Sequence, residues 1–109
     1  MTAVNPRILP PTASATNPPL LIRELLDSGV RMAGNNEIVY RDLRRHDYRQ
    51  FRKRVHQLAH LLNAQGVKAG DVVAVLDWDS HRYLEAFFAI PMLGAVLHTV
   101  NVRLSPEQI

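Results

Sequence analysis

The chain reads as an α/β protein, and three stretches predict that class. Val72 to Leu76 is apolar at five consecutive positions, as in a strand covered on both faces of a parallel sheet. Ser80 then caps a helix that carries Tyr83, Leu84, Phe87 and Phe88 inward and closes at Gly94. Val96 to Val100 is a second apolar strand. Strand, helix and strand over about 71–100 form one βαβ unit, for which the crossover is expected to be right-handed.

The elements before this unit follow from residue spacing. Residues 1–19 hold five of the seven prolines, Pro6, Pro10, Pro11, Pro18 and Pro19. Proline lacks a backbone donor, so the segment reads as an extended arm. Exchange of that arm onto a partner subunit is a second reading. Residues 20–109 form the body. Leu21, Ile22, Leu25 and Leu26 recur at helical spacing, which predicts a short helix from Leu20 to about Val30, ending at Ser28-Gly29 or fraying on toward Gly34. Glu37 to Asp42 is a short strand around Ile38, Val39 and Tyr40, with turns before it at Asn35-Asn36 and after it at Asp42 to Arg45.

The best-marked helix runs from Tyr48 to about Gln65. Asp47 is its N-cap, and Gln50 stands three residues on, as a capping box requires. Tyr48, Phe51, Val55, Leu58, Ala59 and Leu62 form one apolar stripe, and Gly66 is the stop. Pro91 ends or kinks the later helix by removing one bond to Phe87. Ser105-Pro106-Glu107 starts another helix, with proline at its first position.

With 109 residues the chain is at most one small domain. It has no cysteine, so disulfides and thiolate metal sites are excluded. The N-terminus lacks a basic cluster followed by an apolar run. The longest uncharged apolar stretch, Ala86 to Leu97, is broken by Pro91 and Gly94 and falls short of the roughly 20 residues a membrane span needs. A cytoplasmic location is the expectation. The net charge of +3 comes mainly from arginine, since lysine occurs only at Lys53 and Lys68. A basic balance suits nucleic acid or anionic lipid, or reflects a lopsided share of a larger protein's charge.

Four constellations carry possible chemistry. His56 and His60 lie one helical turn apart, but Gln57 stands where the zinc-protease pattern places its glutamate, and no clear third ligand follows. Outer-face polar residues explain the pair more simply. Arg41, Arg44, Arg45, Arg49, Arg52, Lys53 and Arg54 form a basic run suited to phosphates. No aromatic residues stand among them on the solvent side, because Tyr48 and Phe51 belong to the buried stripe, so a solvated face is the simpler reading. Asp77 and Asp79 follow a strand's carboxyl end, where ligands gather in open α/β sheets. They would share one side if the strand extended that far, as a cation site or carboxylate pair. The simpler reading is a pair of loop carboxylates capping the helix beside Ser80. His81 and His98 are open to the same two kinds of reading, a functional group or a packed, hydrogen-bonded histidine. The five glycines form no G-x-G pair, no Gly/Ser/Thr-rich loop ends in lysine, and no serine sits in a nucleophile elbow.

The helix 48–65 followed by Gly66-Val67, Gly70-Asp71-Val72-Val73-Ala74, Gly94-Ala95-Val96-Leu97, Asn101 and Leu104-Ser105-Pro106-Glu107 resembles the N-terminal region of AMP-forming acyl-CoA synthetases. These belong to the adenylate-forming superfamily, with luciferases and peptide-synthetase adenylation domains. Trp78-Asp79-Ser80-His81 and His98 to Leu104 are most similar to the medium- and long-chain fatty acyl-CoA ligases. The resemblance covers about Leu20 to Ile109. It implies a partial N-terminal subdomain of the large AMP-binding domain. It also implies a parent reaction in which a fatty carboxylate attacks ATP to give acyl-adenylate and pyrophosphate, after which coenzyme A displaces AMP. ATP, Mg2+ and coenzyme A are the cofactors implied for the parent, while the family's phosphate loop, adenine and ribose motifs and mobile-domain lysine lie downstream of the matched region. No catalytic, cofactor-binding or metal residue therefore transfers to this chain. The expectation is a scaffold fragment of a fatty acyl-CoA ligase, inactive alone, partnered by the rest of the enzyme and in some family members dimerised through the arm. A nucleic-acid binder built on Arg41 to Arg54 and a sheet-completing interaction module are the alternatives.

Overall fold

The computed structural model describes residues 8–109. Residues 1–7 of the expected arm lie outside them. Residues 8–20 carry neither helix nor strand and are exposed throughout. The chain then forms α1 (Ile22–Ala33), β1 (Glu37–Tyr40), β2 (Arg44–Asp47), α2 (Tyr48–Ala64), β3 (Val72–Val75), α3 (His81–Met92) and β4 (Val96–Thr99), with a 3-10 turn at Pro106–Gln108.

The capping box on α2 forms as its spacing dictates. Asp47 Oδ1 accepts from the Gln50 amide at 2.7 Å, and Gln50 Oε1 accepts from the Asp47 amide at 2.9 Å. Two orphan donors of the first turn are thereby satisfied. α1 runs past Val30 to Ala33, the longer of its two expected limits.

The turn expected at Asp42 to Arg45 is shorter than the sequence suggests. Arg44–Asp47 is a strand, antiparallel to β1 with Tyr40 opposite Arg44 and Glu37 opposite Asp47. Its residues, Arg-Arg-His-Asp, have little intrinsic strand preference. The hairpin forms because a turn at Arg41 to Leu43 returns the chain onto β1, with the Leu43 amide donating to the Tyr40 carbonyl at 3.1 Å. Arg41 takes a positive φ of 49° to make it.

β3 and β4 pair in parallel, Val72 opposite Val96 and Val75 opposite Thr99, with α3 as the connection. Val73, Val75 and Leu97 face the cluster of Ala86, Ile90 and Ala95. A second cluster joins Leu26 of α1, Phe51 and Val55 of α2 and Ala89 of α3. The sheet is covered on that side only. Val72, Leu76 and Val96 are each more than half exposed, contrary to the two-sided cover expected, because no layer of the described residues lies over them.

The face of α3 also differs from expectation. Glu85, Ala86, Ala89 and Ile90 are its buried residues, whereas Leu84 and Phe87 are exposed and Tyr83 and Phe88 half-buried. The helix packs against α2 and the sheet together, and close approach to both favours alanine over phenylalanine at the contact. Phe88 meets Phe51 edge-on at 5.6 Å, and Tyr83 and Phe87 meet edge-to-face at 5.2 Å outside. α3 passes Pro91 and ends at Met92, since a proline this close to the end forfeits only one helical bond. Gly94 then turns at φ 75°, and its carbonyl accepts from the Gly70 amide at 2.9 Å.

Candidate functional site

The carboxyl ends of the parallel strands open into a groove of about 300 Å³, lined by Asp77, Trp78, Asp79 and Tyr83 on one side and by Thr99 to Arg103 on the other. Parallel strands that end together and diverge leave such a crevice by topology. The Val100 amide still donates to the Val75 carbonyl at 3.0 Å, and beyond it the two chains part. Asn101 Oδ1 accepts from the Arg103 amide at 3.0 Å, which shapes the far wall.

The near wall is arranged around the N-terminus of α3. Ser80 Oγ accepts from the Tyr83 amide at 3.3 Å, the expected cap, and its hydroxyl donates to Asp77. Asp77 Oδ1 also accepts from the Trp78 amide at 2.7 Å. The Ser80 hydroxyl bond, with help from the Trp78 amide, holds the Asp77 carboxyl below its ordinary range despite some desolvation. β3 stops at Val75, so strand alternation does not extend to 77 and 79. Asp79 instead occupies a left-handed turn with φ 30°. Asp77 accepts from no amide of α3: its two oxygens hold the Trp78 amide and the Ser80 hydroxyl, and Ser80 is the cap, so the carboxylate caps expected here are not formed by direct bonds.

The near wall presents acidic side chains, and the far wall carries Arg103. Two carboxylates face the groove, and the helix amide at Tyr83 is already held by Ser80. Magnesium would need further oxygen ligands. Among the described residues no group of three or more His, Cys, Asp or Glu side chains could hold a metal ion. His56 and His60 are both exposed on α2, and His98 is exposed on β4.

His81 lies elsewhere, on the side of α3 toward the hairpin. Its ring is 5.4 Å from Tyr40 and 5.9 Å from His46, and its Nδ1 is buried without a hydrogen-bond partner among the described residues. Burial lowers its pKa below the usual 6.5, against the pull of Glu85 and with the push of Arg54, Arg82 and His46. The hydrogen-bonded histidine expected here is packed, but Nδ1 makes no bond.

The basic run does not form one face. Arg45 pairs with Glu37 at 3.1 Å, Arg52 with Asp27 at 3.4 Å and Arg54 with Glu85 at 2.6 Å. Arg49 donates to Asn35 at 2.6 Å. Neither Glu85 nor Arg103 stands in any of the four constellations legible in the sequence. The signal for Glu85 was present: it is the one charge in the run from Tyr83 to Ile90, and it calls for a cation from another element.

No helix of the described residues is long and apolar enough to cross a membrane. The AMP-binding enzyme family matches residues 26–109. A long-chain-fatty-acid–CoA ligase of Thermus thermophilus is 41% identical over 90 residues, covering 79% of this chain and 17% of that protein. A medium-chain-fatty-acid–CoA ligase of Ectopseudomonas oleovorans is 32% identical over 94 residues, 83% of this chain and 17% of that protein. Among solved structures, a fatty acyl-CoA synthetase of Mycobacterium tuberculosis superposes with a TM-score of 0.73 at 26% identity, over 78% of this chain and 17% of that one. The chain thus spans about a sixth of the length of the curated relatives it matches. Its helices and two small sheets have the fold of the N-terminal subdomain of adenylate-forming enzymes, and the chain belongs to the AMP-binding enzyme family.

Proposed function

We propose that residues 20–109 are a structural part of a fatty acyl-CoA ligase. The parent converts a fatty carboxylate and ATP to acyl-adenylate and pyrophosphate, with Mg2+ offsetting phosphate charge, and then transfers the acyl group to coenzyme A. The reading places the enzyme in the cytoplasm. The observation that supports it is the match of residues 26–109 to the AMP-binding enzyme family, with 41% identity to a long-chain-fatty-acid–CoA ligase. In this reading the segment supplies rigid walls, and the groups that handle nucleotide come from elsewhere. The chain alone makes no acyl-CoA. Its partner is the remainder of the ligase, and residues 1–19 are an arm available for contact with a second subunit.

A chimera tests this. Residues 20–109 replace the matching segment of the Thermus thermophilus ligase, and acyl-CoA formation is measured beside the 109-residue chain alone. The expected result is an active chimera and an inactive isolated chain. Thioester formation by the isolated chain, or a folded chimera without activity, overturns the proposal.

A further inference from the structure

The tip of the β1–β2 hairpin carries features that neither the core nor the strand-end groove uses. Val39 and Arg41 to Arg45 surround a surface concavity of about 290 Å³. Three of those six residues are arginines, against one carboxylate, Asp42. The Arg41 guanidinium lies 5.4 Å from the centre of the Tyr40 ring, and Arg44 has no ion-pair partner among the described residues. Arg45 is shared with Glu37. Beside these cations, Leu43 is 69% exposed and Val39 51% exposed.

That juxtaposition is unusual for a solvated turn. A charged tip needs no leucine, and an apolar tip needs no arginines. Together they match an amphiphile whose anionic headgroup sits above hydrocarbon. Arginine forks bind phosphate oxygens, and an aliphatic side chain beside them can enter the acyl boundary. We infer that the β1–β2 tip, through Arg41, Leu43 and Arg44, docks the protein on the surface of a bilayer containing anionic phospholipid. Nucleic acid is the less suited polyanion, because the tip offers a leucine where base stacking would call for an aromatic ring. The hairpin is held from behind by α2 and α3, where Ile38 meets the core and Tyr40 lies against His81. The tip is therefore presented on a supported hairpin.

Sedimentation of the 109-residue chain with vesicles tests the inference. Phosphatidylcholine vesicles are compared with vesicles of phosphatidylcholine and phosphatidylglycerol. Binding is expected to the anionic vesicles and to weaken with salt. Each arginine removed near an anionic surface loses about fivefold in partitioning, so Arg41→Gln with Arg44→Gln should lose about twenty-fivefold. Leu43→Ser should weaken binding severalfold, whereas Lys53→Gln, which removes one charge from α2, should change it less than twofold. Leu43 is exposed, so its substitution tests the tip even if the arginine variants fail to fold. Equal binding to neutral vesicles overturns the inference, as does unchanged binding by the folded Leu43→Ser or double-arginine variant. Binding to duplex DNA that matches the anionic vesicles and survives Leu43→Ser overturns it in favour of nucleic acid.

Discussion

Arg54→Met should be among the most damaging single changes to a partly exposed side chain. Arg54 Nε donates to Glu85 Oε1 at 2.6 Å; the Glu85 side chain is 6% exposed and that of Arg54 36%. The pair joins α2 to α3 across the main helix contact. At an effective dielectric of about 20, opposite charges about 4 Å apart attract by about 4 kcal/mol, much of it offset by the desolvation of Glu85. Removing the arginine keeps that desolvation and deletes the compensation, for which about 3–5 kcal/mol is typical of buried pairs. Water reaches this pair through the exposed part of Arg54, so about 2–3 kcal/mol is the expected loss. Urea unfolding followed by circular dichroism measures it. The double variant Arg54→Met/Glu85→Met leaves no buried charge and should recover most of that loss. A loss under about 0.5 kcal/mol for the single variant, or a double variant no better than the single, refutes the reasoning.

Three further outcomes are expected. His81 has a folded-state pKa lowered mainly by burial, so its contribution to stability is present above about pH 6.5 and is lost as pH falls through the lowered value. The groups facing it are Tyr40, His46, Arg54, Arg82 and Glu85; His81→Asn should flatten the drop in urea midpoint between about pH 7.5 and 5.5, and an undiminished drop would assign it to another group. Ser80→Ala removes both the α3 cap and the bond to Asp77, costing about 1 kcal/mol; the Asp77 carboxyl should titrate closer to its ordinary 3.8, read by carbon-detected NMR. Since Asp77 is depressed, its share of stability is present above that ordinary value and lost below it. Gly94→Ala combines a φ of 75° with a Cβ contact of 3.1 Å to Ala69, whereas Gly66→Ala at φ 93° meets open space. Gly94→Ala should lower the urea midpoint further, with about 1–2 kcal/mol from conformation alone in each.

Where local chemistry decides structure, the residues were legible. The Asp47/Gln50 box, the Ser80 cap and the positive-φ stops at Gly66 and Gly94 each involve partners within a few positions, so spacing suffices. The parallel pairing of β3 and β4 was legible for a related reason: an apolar strand, a capped helix and a second apolar strand have few ways to pack. β2 was not. Arg44-Arg45-His46-Asp47 becomes a strand because β1 is beside it, and nothing in those four residues announces the partner.

The strand-end site divides the same way. Asp77 beside Ser80 is a short-range arrangement, and the Ser80 cap followed from sequence. The opposite wall, Thr99 to Arg103, joins it only after the chain has crossed through α3. Which face of α3 is buried was likewise a tertiary decision. Sequence periodicity offers two apolar faces, the aromatic one of Tyr83, Leu84, Phe87 and Phe88 and the small one of Ala86, Ala89 and Ile90. The distance at which α2 and the sheet converge selects the small one, and it carries Glu85 inward to meet Arg54. The sequence by itself therefore determined the order of the elements other than β2, the caps at Asp47 and Ser80, and the α/β class. Tertiary structure alone decided the hairpin and the buried ion pair, because each depends on residues brought together from separate elements.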